Sequence, residues 1–443
     1  MRVYYQTFGC KANQYDTERM RQESEARGAQ TTEVRSEADL VVVNTCTVTN
    51  QADAEARRFI RRLRRESPET EVVVAGCSAA LREPEYRAMP GVRSVVRGHD
   101  PVAVASVVVP DYFAQIELRT GLDRIDPEPI GGDLLRRRRG AARGWLKVQD
   151  GCDRKCSFCA TRLARGVSRS RPVEEVVAEA RLMSDAHAEL VITGIHIGHY
   201  GIDLEGAYSL SRLCATLLDR VPGVRFRLGS IEATEVDDLM VDLLSTSDAR
   251  LVPHLHMPLQ SGADPVLRAM RRWHTREQYR TRVLEIAERV SPLGLGADVI
   301  AGFPGESDRD HASTRALIEE LPFTYLHVFP FSPRTGTAAA ELPDPVPQRI
   351  AGDRARELRD IAQRSAAAYR ASRVGTPAGV VPEGDGRRGL TEDYLRVDIG
   401  DREERRERGV RPKPTGGLVR GTLRGDADHL YIETPRQTPL INA

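Results

Sequence analysis

The run DGCDRKCSFCA places Cys152, Cys156 and Cys159 within eight positions, at the spacing C-x3-C-x2-C. Three thiolates this close in one loop can ligate three irons of a cubane iron–sulfur cluster. No fourth cysteine stands nearby, whereas a closed structural zinc site takes four ligands. A cube with three protein ligands leaves one iron open. S-adenosylmethionine can chelate that iron through its amino and carboxylate groups. An electron from the cluster can then cleave the sulfonium and release a 5′-deoxyadenosyl radical. The alternative is a zinc knuckle that borrows a distant histidine. Phe158 precedes the last cysteine, where it can shield the cube, pack on the adenine, or serve as ordinary apolar cover.

A second triplet is dispersed. Cys10, Cys46 and Cys77 each fall just past the C-terminal end of an expected strand, in VYYQTF, DLVVVNTC and EVVVAGC. Helical patterns follow each strand. NQYDTERMRQESEARG reads as a helix started by Asn13 and closed by Gly28, and another helix is expected over about 50–66. The alternation predicts an N-terminal doubly wound parallel sheet over residues 1–130. Strand C-termini in such a sheet share one edge, where ligands bind. Cysteines far apart in sequence can therefore converge on one centre. The plainer alternative is three unrelated buried cysteines.

Residues 140–372 carry six strand candidates, WLKV, ELVITG, RFRLGSI, HLHMPL, LGADVIAGF and YLHVFPFS, most of them separated by helical segments. That predicts a partial (β/α)6 barrel, open on one side, with its chemistry at the C-terminal ends of the strands. The cysteine run opens just after the first of these strands. Upstream, RIDPEPIGGDLLRRRRGAARG reads as a domain boundary, with Arg136 to Arg139 either a solvated connector or a phosphate-contacting strip. Residues 373–436 hold short alternating segments broken by Gly and Pro, which predicts a small all-β barrel able to hold nucleic acid on one face. Within it, GDREERRERGVRPKP reads as an exposed loop.

The chain's 443 residues exceed one ordinary core, in line with two or three domains. Its net charge of +1 excludes a general polycation, so contact with nucleic acid must come from local patches. Arg57, Arg58, Arg61, Arg62, Arg64 and Arg65 form one such patch on an expected helix, either an exposed face or a backbone contact. Arg271 and its neighbours in MRRWHT carry the same two readings. The seven cysteines are an odd number, which argues against a disulfide framework. No apolar run reaches membrane-span or signal-peptide form, so a cytoplasmic location without membrane contact is expected. Cys214, among leucines at helical spacing, reads as a core residue.

Other polar residues lie at expected strand ends. Glu232 and Gln260 can hold the ribose and methionine ends of the cofactor, or serve as structural hydrogen-bonding groups. Asn13 and Asn44 can orient the N-terminal cysteine loops. Gly302 and Gly305 in GFPGE can let backbone approach the cofactor, or simply turn the chain. His196, His254, His256 and His327 read as barrel histidines.

TFGCKANQYDTERM, VVVNTCTVTN and VVAGCSA resemble the three cysteine blocks of the radical S-adenosylmethionine methylthiotransferase family. GCDRKCSFCATRLARGVSRSRP resembles its radical signature, and HLHMPLQSGADPVLRAMRRWHT and ADVIAGFPGE resemble its later blocks. The last sixty or so residues resemble, loosely, the RNA-binding TRAM domain. VITGIHIGHYG, GSIEATE and HVFPFSPRTGTAA are similar to the branch that acts on threonylcarbamoyl-adenosine in tRNA. Other branches modify prenylated adenosine in tRNA, or an aspartate of a ribosomal protein. They carry Gln-Asn or Gln-Asp where this chain has Ile195-His196.

The resemblance implies two 4Fe-4S clusters and S-adenosylmethionine. The cluster on Cys152, Cys156 and Cys159 would make a radical that abstracts hydrogen from C2 of adenine at position 37. The cluster on Cys10, Cys46 and Cys77 would handle the inserted sulfur, and a second S-adenosylmethionine would supply methyl. The implied partners are tRNA and an electron donor such as a flavodoxin or ferredoxin. An alternative from another class is an RNA-binding iron–sulfur protein without enzymatic activity. One departure is visible: Ala160-Thr161-Arg162-Leu163 stand where many members have an Ile-Pro pair. A threonylcarbamoyl substrate carries a carboxylate, which calls for a basic pocket. Arg162, Arg165, Arg169 and Arg171 tilt toward it, although phosphates would want the same side chains.

Overall fold

The computed structural model describes residues 1–47, 50–110, 134–206, 208–400 and 417–434. The charged stretch at 401–416 and the first part of the linker lie outside the described residues.

The N-terminal sheet contains β1 (Arg2–Thr7), β2 (Gln30–Thr31), β3 (Leu40–Thr45), β4 (Glu71–Gly76) and β5 (Val92–Val95), in spatial order β2-β1-β3-β4-β5 and all parallel. β3 and β4 are runs of valine because both faces are covered. Helices Lys11–Ala26 and Pro101–Val108 cover one face, with Met20, Val104 and Val108 in the core. Helix Asn50–Glu66 covers the other through Phe59, Ile60 and Leu63. The strand order reverses between β1 and β3. The loops after those two strands therefore diverge and leave a crevice at the switch point. Cys10 and Cys46 stand in these two loops.

The expected helix start at Asn13 moves two residues earlier. The helix begins at Lys11 with Cys10 at the capping position and no side-chain cap. Asn13 instead donates to the carbonyls of Phe8 and Thr45, which ties the loops after β1 and β3 together.

The central unit has six parallel strands: β6 (Arg143–Lys147), β9 (Glu189–Thr193), β10 (Arg225–Leu228), β11 (His254–His256), β12 (Gly294–Ala301) and β13 (Tyr325–Pro330). They pair as β6-β9-β10 and β11-β12-β13. Parallel bridges Phe226–Leu251 and Ser230–His256 join the halves. Among the described residues β6 and β13 do not pair, so the barrel is open there. Between β6 and β9 a short antiparallel pair, β7 (Gln149–Asp150) and β8 (Arg169–Ser170), closes the base of the cysteine loop.

Helix Gln348–Arg373 runs from the barrel wall to the C-terminal unit. There β14 (Pro377–Glu383), β15 (Arg388–Leu390), β16 (Arg396–Ile399), β17 (Val419–Gly425) and β18 (Leu430–Glu433) form a closed barrel in the order β14-β15-β16-β18-β17. Val380, Val397, Leu423 and Ile432 fill it.

This small barrel docks on the N-terminal ends of the central strands. Glu189, fully buried, holds Arg225 and Arg227, and these donate onward to the carbonyls of Gly379, Leu390, Thr391 and Glu392. Burial alone would raise the Glu189 carboxyl, but the two guanidinium groups hold it at about 2.

Arg136 to Arg139 are divided: the side chains of Arg136 and Arg137 are exposed, and the other two are engaged. The Arg136 amide donates to Gln22, Arg138 lies 4.3 Å over the Trp145 ring, and Arg139 pairs with Glu25. The linker is pinned to the first helix. Cys214 is buried in the central core, as its spacing predicts. On helix Asn50–Glu66, Arg57 pairs with Asp53 and Glu85, while Arg58, Arg61, Arg62, Arg64 and Arg65 are exposed.

Candidate active site

The β-sheet edge and the barrel mouth face each other across a cavity of about 590 Å3. Cys10, Cys46 and Cys77 line it from the N-terminal side. Thr193, Gly194, Ile195, Leu228, Ser230, His256 and Asp298 line it from the strand ends and lumen of the barrel.

The N-terminal triplet is built by close backbone packing. Gly9 has φ +102, and a Cβ there would overlap the Cys46 sulfur. Gly76, at φ +98, precedes Cys77, which begins a short helix. Asn13 and Asn44 interlock: the Asn44 side chain donates to the Asn13 carbonyl at 2.9 Å and to Thr17 at 3.0 Å. Both asparagines therefore brace the cysteine loops. Burial pushes the Cys77 thiol up to about 12, against the pull of Arg165.

The barrel triplet sits in the loop bracketed by β7 and β8. Each sulfur has a polar neighbour: His196 Nδ1 lies 3.7 Å from Cys152, Arg272 donates to Cys156 at 3.6 Å, and the Thr161 amide donates to Cys159 at 3.4 Å. Burial raises the Cys152 thiol to about 11 and also raises Cys156. Thiols so protonated ionise readily only when a cation replaces the proton. Two soft three-thiol donor sets, each fed by N–H or guanidinium donors, fit iron–sulfur clusters.

Two arginines join the triplets. Arg165 donates to the Cys77 sulfur at 3.1 Å, to Asn13 at 2.6 Å, to Asp16 at 2.8 Å and to Asp150 at 2.9 Å. Arg334 donates to the Thr47 carbonyl at 2.9 Å and lies within the field of both Cys46 and Cys159. Neither role is visible in sequence. Arg334 belongs to the stretch HVFPFSPRTGTAA, but nothing local says that it reaches the other unit.

These contacts correct one expectation. Arg165 and Arg171 are not available to a substrate carboxylate. Arg165 is occupied as above, and Arg171 is held by Glu179, Tyr15 and the Lys147 carbonyl. Arg162 and Arg169 are exposed.

Glu232 is buried and pairs with Arg272; burial raises its carboxyl against that pairing. Gln260 is buried at φ +67, and its backbone bridges to Val299 of β12. Phe158 is half-buried and packs against Ala263, Val266, Phe303 and Phe331 as apolar cover. At Gly302 a Cβ would overlap Ala351 of the last long helix. Packing against that helix calls for glycine at this position.

His196 pairs with Glu235 at 2.9 Å and stacks on His199 at 3.9 Å. His256 and His327 each lie 3.2 Å from Asp298. His254 is bound to Tyr325 at 2.8 Å and kept neutral by burial. Tyr394, from the small barrel, stacks on His254 at 4.3 Å and floors the cavity. Lys11 also lines the cavity; burial, with Arg143 and Arg227 nearby, lowers its ammonium to about 8.

Residues 2–98 match the family model described as Uncharacterized protein family UPF0004, and residues 146–318 match the Radical SAM superfamily. The threonylcarbamoyladenosine tRNA methylthiotransferase MtaB of Bacillus subtilis is 36% identical over 406 residues, 89% of each chain. Its namesake from Aquifex aeolicus is 32% identical over 90% of this chain and 96% of its own. Among solved structures, the radical S-adenosylmethionine methyltransferase TsrM from Kitasatospora setae superposes with a TM-score of 0.54 at 16% identity. It covers 76% of this chain and 77% of that one, a likeness of fold. The chain belongs to the MtaB family of radical S-adenosylmethionine methylthiotransferases.

Proposed function

We propose that the protein methylthiolates C2 of N6-threonylcarbamoyladenosine at position 37 of tRNA, beside the anticodon. One arrangement carries this reading: Cys10, Cys46 and Cys77 line the same cavity as the strand ends of the barrel. Chemistry supplied from the barrel strand ends and from the N-terminal triplet would then reach a single adenine. The domains are taken as residues 1–130, 140–372 and 373–436.

The family's cofactors are two 4Fe-4S clusters and S-adenosylmethionine. In our assignment Cys152, Cys156 and Cys159 hold one cluster, and Cys10, Cys46 and Cys77 hold the other. The chemistry supplied at the barrel triplet is reductive cleavage of the sulfonium to a carbon radical. Arg272 neutralises charge beside Cys156 and holds Glu232 at the strand ends, where Glu232 and Gln260 would hold the cofactor. His196 is kept oriented toward Cys152 by Glu235. Arg334 and Arg165 bind the two triplets into one rigid frame. The small barrel fits tRNA backbone contact, and a flavodoxin or ferredoxin fits the need for an electron. No described helix is long and apolar enough to cross a membrane.

The test separates the triplets. Cys152→Ala should abolish 5′-deoxyadenosine formation. Cys46→Ala should retain it while losing the methylthio product. Nucleoside mass spectrometry of tRNA from cells lacking the protein should show loss of the methylthio form of threonylcarbamoyladenosine. Loss of the prenylated methylthio form alone would overturn the assignment.

A further inference from the structure

The cavity contains few cations, and most are already engaged. Arg165 gives its donors to Cys77, Asn13, Asp16 and Asp150. His256 and His327 share Asp298, and His254 is bound to Tyr325. Lys11 differs. It lines the same cavity, one residue past Cys10, and its ammonium makes no hydrogen bond or ion pair with any described residue. It is half-buried in the first turn of the helix that packs against β6. The cavity also has an aromatic wall, with Tyr325, Phe329 and Tyr394.

A charge removed from bulk water and left without a partner is costly. A ligand anion that reaches it recovers a charge-assisted hydrogen bond in a site of low dielectric. We propose that the Lys11 ammonium is the subsite for the carboxylate of the substrate's threonylcarbamoyl group. This rests on the function proposed above, because only that substrate brings a carboxylate attached to the base. The aromatic wall then faces the adenine, and Lys11 distinguishes an acidic substituent from an apolar one. tRNA phosphate is the other source of anionic oxygen. It is common to modified and unmodified tRNA, so the two can be told apart.

The experiment uses cluster-loaded full-length protein without S-adenosylmethionine. It measures equilibrium binding of one tRNA carrying either threonylcarbamoyladenosine or plain adenosine at position 37. Wild type should prefer the modified tRNA by about tenfold, the scale of one charge-assisted hydrogen bond. Lys11→Gln should bring the two affinities within about twofold, and Lys11→Arg should restore most of the preference. Iron content and the circular dichroism spectrum certify the variants.

A Lys11→Gln protein that keeps the preference overturns the subsite and leaves the proposed function standing. Equal weakening on both tRNAs assigns Lys11 to phosphate and also overturns it. Absence of any preference in wild type sinks both proposals together. Should Lys11→Gln fail to fold, wild type alone decides. The free nucleoside should compete at least tenfold better than its carboxyl methyl ester, and equal competition overturns the subsite.

Discussion

Arg165 donates its Nε to the Cys77 sulfur at 3.1 Å, although 88 residues separate them in sequence. The same guanidinium reaches Asn13, Asp16 and Asp150, and its side chain is fully buried. It therefore joins the helices that follow β1 and β4 to the segment that carries the other cysteine triplet.

Arg165→Met should leave Asp16 and Asp150 with Lys147 as their remaining shared cation. Removing one partner of a buried ionic network costs about 3–5 kcal/mol. Urea denaturation should show that loss, and methylthio product should fall even where 5′-deoxyadenosine persists. Arg165→Lys should recover only part, because an ammonium cannot match the forked geometry.

Gly9→Ala tests the packing of the N-terminal triplet without touching a cysteine. The residue is at φ +102, and its new Cβ would meet the Cys46 sulfur and Cβ. Backbone strain of this kind costs about 1–3 kcal/mol. Iron analysis should fall from about eight toward about four atoms per chain, the content of two clusters and of one. Full iron retention would show that Cys46 is not held where the structure puts it.

Glu189→Gln should loosen the small barrel from the central one. It leaves Arg225 and Arg227 buried without their carboxylate, at a cost of about 3–5 kcal/mol. The pH dependence has a definite sign. The folded carboxyl titrates at about 2 against an ordinary 4.5. Its contribution is therefore complete above about pH 4.5 and is lost as pH falls toward 2, on the order of 3 kcal/mol. Wild-type stability should fall over that range more steeply than that of Glu189→Gln. Parallel curves would refute the assignment.

Local physics made much of the fold legible. Valine runs closed by Gly or Cys mark β3 and β4, because a strand buried on both faces has no polar side to show. Six apolar segments alternating with helices announce the open barrel. The position of a cysteine after each of three strands already places three thiols along one edge. Asparagine is a good cap, which points to a helix start at Asn13. Here its side chain instead satisfies carbonyls of two other loops.

By itself, then, the sequence determined the elements, their layering and the sites of the two thiol triplets, since periodicity and spacing are local properties. Tertiary structure alone decided which charges are free. Arg165 and Arg171 look available in sequence and are occupied by Asp16, Asp150 and Glu179. Lys11 looks ordinary and faces the cavity without a hydrogen-bond or ion-pair partner among the described residues. It also decided that Tyr394, from the last unit, floors a cavity whose walls come from the other two. A side chain's partners depend on long-range packing and on competition among all nearby charges, and no local pattern encodes that competition.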